Sequence, residues 1–404
     1  MIDLRDQIRS YAELLDAAAP NVDELALPTD PAHGGDAPVR IARWRPAVLA
    51  AAGVAAALVI AIGGIAIFAG GSEDAAGTST VVTTPTATSQ VTPTTGAIVD
   101  VEFILTGPDA LAPRTEDGGS WDFPFSGPGA VVFHDGRFHM FRNGRAEDEP
   151  GAVGYLVSDD AVTWSDPIGA PLFDAAALPY GSGKAAVRSA LVTGDGTWVL
   201  YLDIELGDGS EGEAPSPMVV GRATAPAPTG PWAFDASPAL TVGATGSFAD
   251  AGVGSPSVIP FEDGFVMFFV GRTSAGQASI GRAISLDGVR WGIEDADPVL
   301  IATDDWERGS LSTVDAVFDD GSWVLLYAGE TMSRRGIAIS DDGTDFEKLP
   351  ENPMLDTTDV PRGGIFDTTL LRHEGEWLLF VENGGARSNT DISLLVYDGA
   401  LRPR

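Results

Sequence analysis

Hydrophobic and polar positions alternate in three different ways along the chain. Near the N-terminus Leu4, Ile8, Tyr11, Leu14 and Leu15 recur at helical spacing among Asp and Arg, which predicts one amphipathic helix ending before Pro20. Ala47 to Gly71 then runs without a charge, AVLAAAGVAAALVIAIGGIAIFAGG. As a helix this run rises about 37 Å, more than the roughly 30 Å hydrocarbon thickness of a bilayer. It has no polar face, and 45 residues precede its block, which predicts a transmembrane helix rather than a core helix or a cleaved signal peptide. From residue 98 onward, short apolar runs alternate with Gly, Pro and Asp turns, which predicts an all-β domain.

The predicted organisation is a polar head (1–45), a membrane helix (46–71), a Thr/Pro-rich linker (72–97) and an outer domain (98–404). Arg40, Arg43 and Arg45 precede the apolar run, whereas Glu73 and Asp74 follow it. The positive-inside rule therefore places the head in the cytoplasm and the C-terminal domain outside a single-pass cell membrane. The head helix reads as an ordinary cytoplasmic tail or as a docking segment for a cytoplasmic partner. The prolines of the linker favour an extended stalk.

Internal repetition defines the outer domain. A glycine turn followed by an aromatic-rich strand recurs as HDGRFHMF, GDGTWVLY, EDGFVMFF, DDGSWVLLY and HEGEWLLF. The turn glycines are Gly136, Gly196, Gly264, Gly321 and Gly375, spaced by 60, 68, 57 and 54 residues. A strand precedes each turn, and a third strand opening on glycine follows at Gly154, Gly221, Gly281 and Gly336. Turns closed by Trp164, Trp232, Trp291 and Phe346 lead to a fourth strand. Four strands in each of five repeats predict a five-bladed β-propeller, a ring that leaves only short sheet edges. The fifth repeat lacks a clear fourth strand after Tyr397, and Ile98–Leu105 (IVDVEFIL) is expected to supply it and close the ring.

Charge and composition narrow the chemistry. The net charge is −34, and Lys184 and Lys348 are the only lysines, so no cationic cluster exists for a nucleic-acid backbone. The chain has no cysteine, hence no disulfide and no thiolate metal site. Its four histidines (33, 134, 139 and 373) show no paired metal-ligand spacing. The acidic stretch Asp203–Glu213 offers oxygen ligands to calcium but lacks the Asp-x-Asp-x-Asp-Gly order, so a solvated loop is its ordinary reading and no cofactor is implied.

With GRAISLDGVRW and its following PVL, ATAPAPTGPW in the second repeat and NPML after the fourth, residues 98–404 resemble the five-bladed glycoside hydrolases. That superfamily holds arabinanases, β-xylosidases, invertases, levansucrases and mannoside phosphorylases (glycoside hydrolase families 43, 32 and 130). The resemblance implies a carbohydrate partner, a central funnel lined by each blade's inner strand, and acid/base chemistry by Asp and Glu. The family's acids do not carry over residue by residue. Gly127-Pro128, Val187-Arg188-Ser189, Gly254-Ser255-Pro256 and Leu311-Ser312-Thr313 stand at the expected positions.

Other acids flank the inner strands. Asp122 and Asp250 each lie 14 residues before their turn glycine, and Glu307 is the fourth-repeat equivalent. Asp315 and Asp367 lie in or at the start of inner strands. These five are the candidate catalytic residues, since acids crowded at an axis raise one another's proton affinity. Arg188, Ser189, Ser255, Arg272 and Glu330 are the candidate substrate-binding residues, with Arg188 offering a fixed fork of donors or else pairing a funnel acid. Arg142, Asp203, Glu205 and Glu382 also fall toward the ends of second strands. Two functions stand side by side: a membrane-anchored glycosidase, and a non-catalytic propeller that binds a glycan or protein. A spacer or assembly platform is a third.

Overall fold

The computed structural model describes residues 101–108, 110–112, 120–146, 151–180, 185–206, 217–385 and 389–401. Within the described residues, twenty-one strands form where short apolar runs stand between Gly, Pro and Asp turns. The predicted head helix, membrane helix and linker lie outside the described residues. Among the described residues no helix is long and apolar enough to cross a membrane.

The chain enters on β1 (Ile104–Thr106). Blade one follows as β2 (Pro124–His134), β3 (Arg137–Ala146), β4 (Ala152–Ser158) and β5 (Trp164–Ser165), with β6 (Phe173–Asp174) added against β4. Blade two is β7 (Ala185–Val192), β8 (Trp198–Glu205), β9 (Met218–Ala225) and β10 (Ala233–Phe234). Blade three is β11 (Gly252–Phe261), β12 (Gly264–Arg272), β13 (Ala278–Ser285) and β14 (Gly292–Ile293). Blade four is β15 (Leu311–Asp319), β16 (Ser322–Gly329), β17 (Arg335–Ser340) and β18 (Glu347–Lys348). Blade five is β19 (Ile365–His373), β20 (Glu376–Asn383) and β21 (Asp391–Tyr397), completed by β1.

That last pairing closes the ring as the sequence predicts. Ile104 to Thr106 lie antiparallel to Val396 to Leu394, so the paired segment is shorter and slightly later than 98–105. Val101 and Phe103, just before it, are buried with residues of blades four and five. The inner strands β2, β7, β11, β15 and β19 pack side by side around the axis, and β19 returns to β2. Apolar cores fill the spaces between neighbouring blades. Met140 and Leu156 of blade one, for example, pack with Phe380 and Leu394 of blade five.

Hairpin chemistry explains the repeat. Asp135-Gly136, Asp320-Gly321 and Glu374-Gly375 each take positive φ at both residues, as a two-residue hairpin loop requires. Blade three differs, because Gly264 is the first residue of β12 and Glu262 takes the positive φ. The turns between third and fourth strands are held by their own side chains. Asp160 accepts from the amides of Val162 and Thr163, Asp287 from Val289 and Arg290, and Asp342 from Thr344 and Asp345. These aspartates serve the fold.

Candidate active site

Arg188 lies at the centre of the site. The inner strands do not pair regularly with their neighbours: a register shift interrupts all five, between Pro128 and Ala130, Val187 and Ser189, Gly254 and Ser257, Leu311 and Thr313, and Ile365 and Thr368. A bulge re-aims the side chain it carries. Arg188 sits in the blade-two bulge and Asp367 in the blade-five bulge. The Arg188 guanidinium joins the two blades, with Nη1 2.6 Å from Asp367 Oδ1 and Nε 2.8 Å from Asp203 Oδ2. Asp203 Oδ1 in turn accepts the backbone N–H of Ser255 at 2.6 Å. Ser255 takes φ +48°, a left-handed conformation uncommon for serine, within the blade-three bulge.

Two further acids share this well. Asp315, on β15, lies under the influence of Arg335, Arg188 and Asp367. Glu382, on β20, lies beside Asp367 and Arg188 and is held by Thr390. Arg335 is fully buried beneath them. Its Nε donates to Thr368 Oγ1 at 3.1 Å, its Nη1 to the Met332 carbonyl at 2.6 Å, and its Nη2 to the Phe366 carbonyl.

Burial and mutual repulsion divide these groups by proton affinity. Burial pushes Asp315 up to about 8, against the pull of Arg335 and Arg188. Burial, reinforced by the negative charge of Asp367, pushes Glu382 up to about 7. Burial also raises Asp203, opposed by Arg188. For Arg188 burial works against the charge, but Asp367 and Asp203 outweigh it and hold the guanidinium protonated. Burial lowers Arg335 to about 10, still protonated at neutral pH. The well thus holds protonated carboxyl groups next to an ion-paired carboxylate, the division of labour that acid/base chemistry at a glycosidic bond requires.

The structure brings together Arg188, Asp315, Asp367 and Ser255 from the sequence-predicted set. It does not bring Asp122, Asp250 or Glu307 to them, and the reason is aromatic. Trp121, Phe248 and Trp306 neighbour these acids and lie over glycines within the third strands. A Cβ on Gly154 would overlap Trp121, one on Gly281 would overlap Phe248, and one on Gly336 would stand 2.9 Å from Trp306. The aromatic rings draw each leading segment over its own blade. Asp122 is buried and paired with Arg142 at 2.7 Å, and Arg142 also reaches Asp166 beyond β5. Glu307 is buried against Lys348 of the outermost strand β18 at 2.6 Å. Burial opposes the Glu307 charge, but Lys348 and the amides of Asp304 and Thr303 hold its pKa below the ordinary value. Asp250 accepts from the amides of Gly246 (2.9 Å) and Ser274 (2.7 Å), which lower its pKa.

The remaining candidates have other places. Ser189 Oγ accepts the Val258 amide at 3.0 Å and ties blade two to blade three. Arg272 is half-buried at the end of β12 and donates to the Gly276 carbonyl, and burial lowers its pKa. Glu330 is exposed, and its amide donates to the Glu307 carbonyl at 3.2 Å. Asp203, which opens the acidic stretch running to Glu213, is taken up by Arg188 and Ser255; residues 207–216 lie outside the described set. Among the described residues no three His, Cys, Asp or Glu side chains are placed to hold a metal ion.

Asp203, Glu382 and Arg335 were not among the predicted site residues. Asp203 and Glu382 carry a usable signal, since each lies seven residues after its turn glycine, Gly196 and Gly375. Asn143 holds the same position after Gly136 and bonds the backbone of Val187 in the next blade, at 2.9 and 3.0 Å. Arg335 carries no such signal.

Comparison with solved structures finds the same propeller fold in several glycoside hydrolases. A member of the GH130 family of mannoside phosphorylases, a family containing glycoside hydrolases that target β-1,2 mannosidic linkages in Candida mannan, superposes with a TM-score of 0.56 at 16% identity, covering 78% of this chain and 97% of that one. Zg3597, a family 117 glycoside hydrolase from Zobellia galactanivorans, gives 0.57 at 15% identity over 74% of this chain and 90% of that one. A thermostable family-43 glycoside hydrolase gives 0.53 at 14% identity over 70% and 98%. The C-terminal domain therefore has the five-bladed propeller fold of these glycoside hydrolases. In sequence, a 1,2-β-oligomannan phosphorylase from Thermoanaerobacter sp. (strain X514) is 28% identical over 109 residues, 24% of this chain. The chain spans 37% of the length of that relative. No protein-family profile matches the chain.

Proposed function

We propose that this protein is a glycosidase that cleaves glycosidic bonds in the axial well, with water as acceptor, and that residues 46–71 tether it to the outer face of a cell membrane. One observation carries the catalytic reading: around Arg188 the fold gathers carboxyl groups from three blades and gives them different proton affinities. Asp367 is the carboxylate paired with Arg188, and the proton donor comes from the carboxyl groups whose pKa burial raises. This acid cluster favours chemistry over the binding-only reading. Water is favoured over phosphate because both guanidinium groups of the well are already engaged by protein groups, Arg188 by two carboxylates and Arg335 by Thr368 and backbone carbonyls. The first substrates to try are β-mannosides, after the GH130 neighbour, and β-xylosides and α-arabinofuranosides, after CoXyl43, a GH43 β-xylosidase/α-arabinofuranosidase with the same fold (TM-score 0.52, 14% identity).

The test is incubation of the purified protein with disaccharides and 2,4-dinitrophenyl glycosides of those three sugars, with and without phosphate. Free reducing sugar is expected from one of them, at a rate that phosphate leaves unchanged. A sugar phosphate as the product sinks the choice of acceptor, and no cleavage of any substrate sinks the enzyme reading.

The membrane reading rests on the uncharged run from Ala47 to Gly71 and on its flanking charges. Full-length protein is expected in the membrane pellet after alkaline carbonate washing, and a variant lacking residues 1–71 in the supernatant. A full-length chain that washes off contradicts it.

A further inference from the structure

The junction between blades five and one departs from two of the other blade junctions. At two junctions the side chain seven residues after the turn glycine latches onto a backbone N–H of the next inner strand: Asn143 onto Val187 at 2.9 Å, and Asp203 onto Ser255 at 2.6 Å. At the blade-five junction that position is Glu382, one methylene longer than Asp203. Here an inner-strand amide of blade one is held by a different group, with Ser126 N–H donating to Thr390 Oγ1 at 2.9 Å. The Glu382 carboxyl instead lies directly over Gly127. A Cβ on Gly127 would overlap Oε2 and stand 2.9 Å from Cδ. Gly127 is not among the residues of positive φ, so backbone conformation does not demand glycine there. The space does.

We propose that Glu382 is the proton donor of the well, reaching it from the second strand of blade five through the gap that Gly127 leaves in blade one. The assignment rests on the glycosidase reading above and names its acid. Asp315 is the other candidate, but it lies further along its strand, past the bulge, among Arg335, Arg188 and Thr368. Glu382 faces Asp367 of β19 and Arg188 of β7, so the donor and the Arg188-paired carboxyl group share one space. In the step, the Glu382 proton passes to the glycosidic oxygen as the bond from that oxygen to the anomeric carbon breaks, its electron pair staying on the oxygen. The water oxygen forms the new bond to the anomeric carbon, and its proton goes to Asp367. Solvent exchange returns a proton to Glu382 and removes one from Asp367.

The experiment compares two probes of whichever sugar the wild type cleaves: the disaccharide, whose leaving group needs protonation, and the 2,4-dinitrophenyl glycoside, whose leaving group does not. Glu382→Gln is expected to lose about 10²–10⁴-fold on the disaccharide and to stay within about tenfold on the aryl glycoside. Gly127→Ala, which pushes the carboxyl out of its gap, is expected to show the same split. Equal losses on both probes, or wild-type rates on the disaccharide, overturn the assignment while leaving the glycosidase reading intact. A wild type that cleaves neither probe sinks that reading instead.

A stability measurement gives a readout without substrate. An acid whose folded-state pKa is raised loses stability as pH climbs from the unfolded value, about 4, toward the folded one, and the loss levels off above it. With Glu382 at about 7 in the folded protein, the Tm of Glu382→Gln minus that of the wild type is expected to rise between pH 5 and pH 8. A difference that stays flat or falls over this interval contradicts a proton held at Glu382.

Discussion

Asp367→Asn is expected to cut glycoside turnover by about 10²–10⁴-fold on activated and unactivated substrates alike, with the propeller still folded. The expectation follows from where the side chain sits. Its Oδ1 meets Arg188 Nη1 at 2.6 Å from a bulged position of the inner strand, so it faces the well and not a blade core. Asparagine keeps the shape and loses the charge. Asp203 remains on Nε of Arg188, so the guanidinium is not stranded. Thermal unfolding should therefore move little compared with the rate. Loss of activity together with collapse of the fold would show a purely structural role for Asp367. An active Asp367→Asn would remove it from the chemistry.

Asp122→Ala should do the opposite: it is expected to cost about 3–5 kcal/mol of stability and to leave the rate per folded molecule unchanged. Asp122 and Arg142 are both almost completely buried and lie 2.7 Å apart. Removing the carboxylate leaves a guanidinium inside the blade with Asp166, at 3.2 Å, as a partial substitute, which places the cost toward the lower end of that range. Denaturant titration reads the effect as a lower midpoint. Replacing both members of the pair by apolar side chains, in an Asp122→Leu/Arg142→Met double variant, should recover much of the loss, because the desolvation of two charges disappears with them. A single variant as stable as the wild type would contradict the burial argument. One that folds normally but is inactive would return Asp122 to the site.

These two acids also show how far the sequence is readable. The ring was legible because its signals are local: hairpin loops such as Asp320-Gly321, and continuous apolar, aromatic-bearing strands such as SWVLLYAG, recur in phase. Closure by the segment before blade one was legible because blade five ran out of strands, and the Ile104–Thr106 pairing meets that need. Among the acids, spacing from the turn glycine singled out Asp122 and Asp250 equally, yet neither reaches Arg188. What decides their place is the neighbouring ring, Trp121 or Phe248, settling on glycines of the third strand more than 20 residues away in sequence. Gly154 and Gly281 carried that information as bare positions waiting for an aromatic. Arg188 and Asp367 enter the well through bulges, which shift register by one residue and leave no mark in a period-two pattern. Glu382 arrives from a second strand, and only the missing side chain at Gly127 makes room for it.

The pH dependence of kcat/KM on the cleaved disaccharide tests the central claim most directly, because it reads the protonation of the free well. With the donor carboxyl groups raised by burial to about 7 at Glu382 and about 8 at Asp315, activity should fall as pH climbs through 7 to 8, when the donor loses its proton. The two sites interact through Asp367 and Arg188, so the limb belongs to the well as a unit. A rate that holds level or increases across that interval would contradict a catalytic acid buried among the axial carboxylates.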